Sequence, residues 1–135
     1  MTDADVTVRE ATVDELAAVL GVLDGVALET DAERMAASID RGDALVAVTE
    51  RRSDADGTIV GALVLDGAEI TSVAVRRRRR GQGIGTALVA AASDRRDRLV
   101  AEFDERARPF YEALGFTVEL LAEDGRYRGE LVVES

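Results

Sequence analysis

Residues 70–88 read ITSVAVRRRRRGQGIGTAL, in which an apolar strand leads through five arginines and a glycine-rich turn into a helix. The first amides of a helix have no partner inside it and carry partial positive charge, so they form a natural anion site. Gly81, Gly83 and Gly85 lack a Cβ, which lets a phosphate approach the backbone closely. The segment therefore predicts a phosphate-bearing ligand, against the alternative of a tight turn beside a solvated arginine loop.

Two familiar phosphate motifs do not fit this segment. The dinucleotide fingerprint GxGxxG requires a third glycine where Thr86 stands after Gly81 and Gly83. The P-loop requires a lysine, and the sequence contains none. Five of the 17 basic residues nevertheless fall in the run from Arg76 to Arg80, within a chain of net charge −10. That concentration favours a specific anionic partner at this point of the chain.

Outward from this segment, hydrophobic periodicity predicts a single mixed α/β domain over residues 2–134. The expected order is β-α-α-β-β-β-α-β-α-β-β, and the central hairpin-linked strands argue against a doubly wound parallel sheet. Turn signals stand at Asp66-Gly67 and Asp124-Gly125, and residues 51–57 form a polar turn. The predicted strands are 6–9, 44–49, 58–65, 69–75, 99–103, 116–121 and 127–133; the predicted helices begin near Thr12 or Asp14, at Asp31, near Ile84 and at Ala107.

Composition excludes several kinds of chemistry. The 135 residues contain no Cys and no His, which excludes disulfides, thiol nucleophiles, Ser-His-Asp triads and His- or Cys-ligated zinc. We expect no metal, although a carboxylate-only Mg²⁺ or Ca²⁺ site stays open. The acidic balance argues against nucleic-acid binding through the bulk surface. The excess of acidic residues favours either solubility or adaptation to concentrated salt, where screening removes the repulsion among carboxylates.

The sequence also gives expectations about membrane binding, cellular location and oligomeric state. No apolar run reaches the roughly 20 residues that a membrane helix needs, so we expect no membrane partner. The first residues lack the basic and apolar regions of a signal peptide, and a cytoplasmic location is the default expectation. A homodimer is one of the assemblies that the sequence leaves open.

The segment from Arg80 to Gly85 matches (Q/R)xxGx(G/A), and in this it resembles the GCN5-related N-acetyltransferase (GNAT) family. The resemblance implies a mixed, largely antiparallel sheet of about seven strands flanked by about four helices. It also implies acetyl-CoA as the acyl donor, with the pyrophosphate on main-chain amides and the pantetheine arm beside the preceding strand. The residues implied in these contacts are Val73, Ala74, Val75, Arg80, Gly81, Gln82, Gly83, Ile84, Gly85 and Thr86.

A second segment, DERARPFYEALGF at residues 104–116, resembles the family's other recurring motif, Ala-x-x-(Leu/Phe)-Tyr-x-x-x-Gly-Phe. The resemblance places Ala107 and Phe110 beside the cofactor. Tyr111 is our candidate acid for the departing thiolate, since a phenol can protonate it or hydrogen-bond to it; the alternative is a tyrosine that only packs. Asp104 stands where the family commonly has Asn, and an ionised carboxylate cannot donate a hydrogen bond to the pantetheine arm.

The resemblance implies an enzyme, an acetyl-CoA-dependent N-acetyltransferase in which a primary amine attacks the thioester directly. Glu69 resembles the general base of the histone-acetylating branch, with Ser72, backbone carbonyls or a water as alternatives. The acceptor is a small-molecule or peptide amine. Acidic residues of the first two helices (Glu29, Asp31, Glu33 and Asp40) could attract a cationic one, or could simply be solvated surface. The rival function is a non-catalytic acyl-CoA-binding or regulatory module of the same fold.

Overall fold

The computed structural model describes residues 6–23, 31–49, 58–121 and 125–133. The strands are β1 (Val6–Glu10), β2 (Ala44–Thr49), β3 (Thr58–Asp66), β4 (Glu69–Val75), β5 (Arg98–Asp104), β6 (Thr117–Leu120) and β7 (Arg126–Val132). The α-helices are α1 (Leu16–Val22), α2 (Asp31–Asp40), α3 (Ile84–Ser93) and α4 (Arg108–Ala113). Short 3₁₀ turns at Val13–Glu15, Arg77–Arg79 and Glu105–Ala107 precede α1, the glycine loop and α4.

These bounds lie within one or two residues of most of the predicted ones, and the main differences are at helix starts. The first and last helices open with a 3₁₀ turn, so α4 begins at Arg108 and not at Ala107. The polar turn at 51–57, Asp124 of the last turn signal and Glu29 lie outside the described residues. None of the helices in the described ranges has the length and apolar character needed to cross a bilayer.

All seven strands form one sheet in the order β1-β2-β3-β4-β5-β7-β6. Every neighbouring pair is antiparallel except β4 and β5, which run parallel and pair only at Glu69 with Val100 and Ile70 with Ala101. Beyond Ile70 the two strands separate, while β5 continues its pairing with β7 up to Asp104. The predicted mixed, largely antiparallel sheet with four helices is confirmed, and it is split by a gap between the second halves of β4 and β5.

Two buried clusters cover the two faces of the sheet. Helices α3 and α4 pack on one face, where Leu63, Leu88 and Phe103 are buried. Helices α1 and α2 pack on the other, where Val19, Met35 and Val46 are buried. The alternation of side chains along a strand makes this two-sided core, because successive residues point to opposite faces. The gap between β4 and β5 therefore connects two differently lined faces of one molecule.

Candidate active site

The glycine loop holds a row of unused main-chain donors. Gly81 and Gly83 have φ of +79° and +84°, the left-handed conformation that glycine adopts without steric cost. The chain turns at these two residues, and Gly83 becomes the N-cap of α3, which no side chain in the described ranges caps. Within the described part of the chain, the six amides from Gly81 to Thr86 donate no hydrogen bond. Six adjacent free donors at the positive end of a helix dipole form an anion site.

The arginine run divides into anchored and free side chains. Nε of Arg76 donates to the carbonyl of Ile59 at 3.1 Å, and Nε of Arg80 donates to that of Val75 at 3.2 Å. Arg77 and Arg78 are exposed, and the buried Nε of Arg79 has no hydrogen-bond partner among the described residues. The anchored pair fixes the loop to β3 and β4, whereas the others supply positive charge beside the glycines.

The end of β4 offers an unpaired edge. Val73 and Val75 pack toward the α3 face and Ala74 toward the α1 face, as alternation requires. On the β3 side the strand is paired up to Val75, but on the β5 side its pairing stops at Ile70. An extended ligand can add to such an edge through main-chain hydrogen bonds. The three residues predicted to meet the pantetheine arm therefore border the gap.

Gly85 has a different role from the two glycines before it. A Cβ on Gly85 would lie 3.2 Å from the Phe110 ring and 3.9 Å from Val75, whereas one on Gly81 or Gly83 would meet no atom of the described residues within 4 Å. Its missing side chain lets the start of α3 approach α4. The sequence predicts that all three glycines give room for a phosphate, but in the structure the space beside Gly85 is occupied by the Phe110 ring.

Tyr111 lies inside an aromatic group on the α3 face. Its ring stacks on Phe103 with centroids 4.4 Å apart, and it meets Phe110 and Phe116 edge-on at 5.0 and 5.1 Å. The residue is only 4 % exposed. Burial disfavours the phenolate and raises the pKa of Tyr111 to about 12. The hydroxyl therefore stays protonated throughout the range in which enzymes work.

Asp104 and Ala107 lie where β5 passes into α4. The Asp104 carboxylate accepts a hydrogen bond from the Arg106 amide at 3.0 Å, so it caps the 3₁₀ turn. Ala107 is half-buried against the α3-side core. One of the two carboxylate oxygens of Asp104 is therefore engaged by its own turn.

Glu69 stands at the closed end of the gap. It is exposed, it pairs with Asp66 across the β3–β4 hairpin, and it pairs with Val100 where the parallel contact begins. Since Ile70 points into the α3-side core, alternation directs Glu69 to the α2 side. The structure thus places Val73, Ala74 and Val75 beside the gap, with Tyr111 and Glu69 on opposite faces of the sheet. Gly85 lies against Phe110 and Val75.

Two cavities accompany this arrangement, and sequence reasoning missed both. One, of about 760 Å³, lies between the arginine run, the end of α1 and the start of β3. The other, of about 590 Å³, lies under α2 beside Thr71 and Ser72 of β4. Their walls come from elements far apart in the chain, so no local spacing signals them.

Sequence analysis also did not single out Tyr127, the second tyrosine of the chain. The Tyr127 hydroxyl donates to Glu105 at 2.6 Å and accepts from Arg108 at 3.3 Å, and its ring stacks on Phe103. Hydrogen bonding to Glu105 raises the pKa of Tyr127. Its position on β7, outside both motifs, explains why sequence analysis gave no signal.

Comparison with known families bears on this site. The profile described as "Acetyltransferase (GNAT) domain" matches residues 40–118, more than half of the chain. Among curated proteins there is no significant match.

Solved structures share the fold at low identity. A GNAT-family acetyltransferase from Bacillus cereus is 16 % identical, with a TM-score of 0.72 over 93 % of this chain and 94 % of that one. Rv2747 from Mycobacterium tuberculosis, solved in complex with CoA and NLQ, is 23 % identical, with a TM-score of 0.72 over 95 % and 99 %. The ribosomal-protein-S18-alanine N-acetyltransferase from Escherichia coli is 16 % identical, with a TM-score of 0.73 over 96 % and 95 %.

Proposed function

Since this chain belongs to the GNAT acetyltransferase family, we propose that it is an acetyl-CoA-dependent N-acetyltransferase acting on a primary amine. The observation that carries the proposal is the row of six free amides from Gly81 to Thr86, beside an unpaired β4 edge. Both the anion site and the edge suit a long ligand with a diphosphate at one end and an amide-bearing arm at the other. The CoA in the Mycobacterium tuberculosis neighbour supports the same assignment.

The residues present fit this cofactor. Amides from Gly81 to Thr86 would hold the diphosphate, aided by the charge of Arg77 and Arg78. Main-chain groups of Val73 and Val75 would pair with the pantetheine arm in the gap. When bound, acetyl-CoA supplies an activated acetyl thioester. Holding that group at the gap beside an amine removes much of the entropic barrier to reaction.

In the direct reaction the amine nitrogen bonds to the acetyl carbon, and the carbon–sulfur bond breaks with its electron pair on sulfur. Tyr111 is the residue that would donate a proton to that sulfur. The ordinary pKa of a thiol is ~8.5. A phenol whose pKa is held well above that value acts mainly by donating a hydrogen bond as negative charge develops on sulfur. Its place on the α3 face, with Phe110 beside the glycine loop, supports this assignment.

The amine loses one proton before or during attack, and Glu69 is the proposed acceptor. Its exposure on the α2 side of the gap places it among solvent, so a water would relay the proton. With the acid Tyr111 on the α3 face and the base Glu69 on the α2 side, the arrangement suits an amine substrate that enters from the α2 side. For a neutral amine, one proton leaves nitrogen and one reaches sulfur. An acceptor that arrives as an ammonium ion first releases one further proton to solvent.

A thiol-release assay with acetyl-CoA and a panel of amines tests the proposal. We expect amine-dependent release that falls when Glu69 is changed to Gln, with an altered pH profile of kcat/KM. Arg126→Gln, an exposed β7 substitution, is the control and should leave turnover unchanged. Tight acetyl-CoA binding without release for any amine would instead favour the binding-module function.

A further inference from the structure

The cavity under α2 has polar walls and an apolar floor. Its polar lining consists of Arg34, Ser38 and Arg41 of or just after α2, and Asp66, Thr71 and Ser72 of the β3–β4 hairpin. Met35 and Val64 belong to the buried core beneath it. A volume of about 590 Å³ lies in the range that small-molecule sites occupy. The cavity therefore has the size and mixed lining of a pocket for a small polar molecule.

Two opposite charges in this pocket are unused. Arg34 and Asp66 are both exposed, and neither side chain forms an ion pair or hydrogen bond with the other or with any residue in the described ranges. Arg41, by contrast, pairs with Asp43 at 3.0 Å and donates to the Ser38 hydroxyl at 3.3 Å. Asp43 is shared with Arg96 at 2.7 Å, which leaves the α2 side of the pocket with excess positive charge.

The pocket adjoins both the proposed base and the gap. Asp66 is the direct cross-strand neighbour of Glu69. Ser72 lines the pocket and immediately precedes Val73, where the gap between β4 and β5 is already open. An amine held beside Asp66 would thus lie near the proposed base, with the rest of the molecule extending toward Arg34.

We propose that this pocket binds the acceptor, and that the acceptor is a small amine carrying a carboxylate, such as a free amino acid. The inference rests on the proposed N-acetyltransferase function. Arg34 pairs with the carboxylate, Asp66 attracts the amine in its ammonium form, and the hydroxyls of Ser38 and Ser72 satisfy the remaining polar groups. The ammonium ion first gives up one proton to solvent, and the amine nitrogen loses a second as it bonds to the acetyl carbon. The carbon–sulfur bond breaks and sulfur gains one proton, so one proton is released to solvent overall.

This assignment differs from the cationic acceptor that the acidic residues of the first two helices suggested. Glu33 and Asp40 are exposed and are not among the lining residues of the pocket. Glu29 lies outside the described residues, as does the side chain of Asp31. The arginines of the same helix region, which sequence reasoning passed over, are the ones that face the cavity.

Matched amine pairs test the proposal. Thiol release is measured with amino acids, with the amines obtained by removing their carboxyl group, and with amidated peptides. We expect kcat/KM to be at least tenfold higher for the amino acid of a pair. Arg34→Gln should raise the KM of the amino acid by about tenfold to a hundredfold, the scale of a lost charged hydrogen bond. It should leave the KM of acetyl-CoA unchanged, and Arg34→Lys should restore part of the preference.

Glu33→Gln is the matched control, because it removes a charge from the neighbouring α2 residue outside the pocket. If the effect of Arg34 were only a long-range field, Glu33→Gln would improve amino-acid turnover by a similar factor, which would overturn the proposal. Release with carboxylate-free amines alone, or an unchanged KM in Arg34→Gln, would overturn it and leave the transferase function standing. No release with any amine would contradict the transferase function and the acceptor inference together.

Discussion

At the scale of single residues, the environment of Tyr111 is the feature with the clearest chemical consequence. Its ring is enclosed by Phe103, Phe110 and Phe116, and burial raises the pKa to about 12. Because this pKa is raised only in the folded state, the unfolded chain loses the Tyr111 proton first, near the ordinary tyrosine pKa of ~10. The free energy of unfolding is therefore undiminished by Tyr111 below pH ~10 and falls as pH rises toward 12.

We predict that Tyr111→Phe lowers kcat by about a hundredfold, the low end of what a positioned proton donor contributes. The ring and its packing are retained, so the thermal midpoint and the KM of acetyl-CoA should change little. Steady-state kinetics and calorimetric unfolding measure these quantities. Tyr127→Phe removes the other tyrosine hydroxyl and serves as the control. A similar loss of kcat in both variants would argue against a specific role for Tyr111.

Glu15 makes stability depend on acid pH. Arg9 donates two hydrogen bonds, of 3.0 and 2.7 Å, to the Glu15 carboxylate, and the Thr12 amide donates a third of 2.9 Å to the same group. Together these lower the pKa of Glu15 from 4.5 to about 2, the Arg9 hydrogen bond being the largest cause. The stabilisation is therefore present above pH 4.5 and is lost as pH falls toward 2.

Glu15→Gln should accordingly lower stability at pH 7 by about 1 kcal/mol or less, as for other exposed ion pairs. The gap between variant and wild type should close by pH 2. Urea unfolding across this pH range provides the measurement. Glu119→Gln changes an exposed glutamate that has no ion pair among the described residues, and it should have no such pH dependence. A constant gap at all pH values would refute the assignment.

At the scale of elements, α3 is positioned by a glycine in the strand beneath it. A Cβ on Gly61 of β3 would lie 3.0 Å from Cγ2 of Ile84 and 3.1 Å from Cδ1 of Leu88. The bare backbone at Gly61 lets the helix lie close to the sheet. That contact sets the height of the glycine loop above the end of β4, and so links packing to the anion site.

Gly61→Ala should therefore destabilise the fold by about 1–3 kcal/mol, the usual cost of overpacking a core. Combining it with Leu88→Ala removes one of the two clashing groups, so the double variant should lose less than the sum of the singles. Chemical denaturation of the four proteins gives the coupling. Strict additivity would show that α3 does not rest on Gly61.

The elements themselves were readable because their signals are local. β4 has a β-branched run, α4 has Pro109 in its first turn, and Gly115 ends that helix region with φ of +95°. The seating of α3 on Gly61 and the contact of Gly85 with Phe110 join residues 23 or more positions apart in the chain. Such contacts depend on the tertiary fold, so spacing along the chain contains no trace of them.

At the scale of the whole molecule, net charge dominates the electrostatics. The chain carries −10, against eight ion pairs among the described residues. Exposed pairs contribute about 0–1 kcal/mol each and salt weakens them. Repulsion among the excess carboxylates is screened by the same salt.

If that repulsion prevails, the thermal midpoint should rise by on the order of 5 °C between 0.1 and 2 M KCl. Most of the rise should occur below about 0.5 M, where the Debye length changes most. Scanning calorimetry over a KCl series provides the test. A falling midpoint would show that the ion pairs dominate and would remove the argument for salt adaptation.

The candidate site was readable from the sequence only in part. The glycine loop and the α4 motif are contiguous, so Gly83 and Tyr111 could be singled out directly. The proposed acceptor pocket is lined by Arg34 of α2 and by Asp66 of β3, and neither residue lies in the glycine loop or in the α4 motif. In a sequence with 27 acidic and 17 basic residues, two unpaired charges are visible only once the fold has placed them.

The central claim is that free amides at the start of α3 hold the diphosphate of acetyl-CoA, and calorimetric titration of two glycine variants tests it most directly. Gly83→Ala and Gly67→Ala each force alanine into a left-handed conformation at a local cost of about 1–2 kcal/mol. In both variants the new Cβ would have no atom of the described part of the chain within 4 Å. We predict about tenfold weaker acetyl-CoA binding for Gly83→Ala and unchanged binding for Gly67→Ala. Equal affinities in both variants and the wild type, or no binding by the wild type, would contradict the claim.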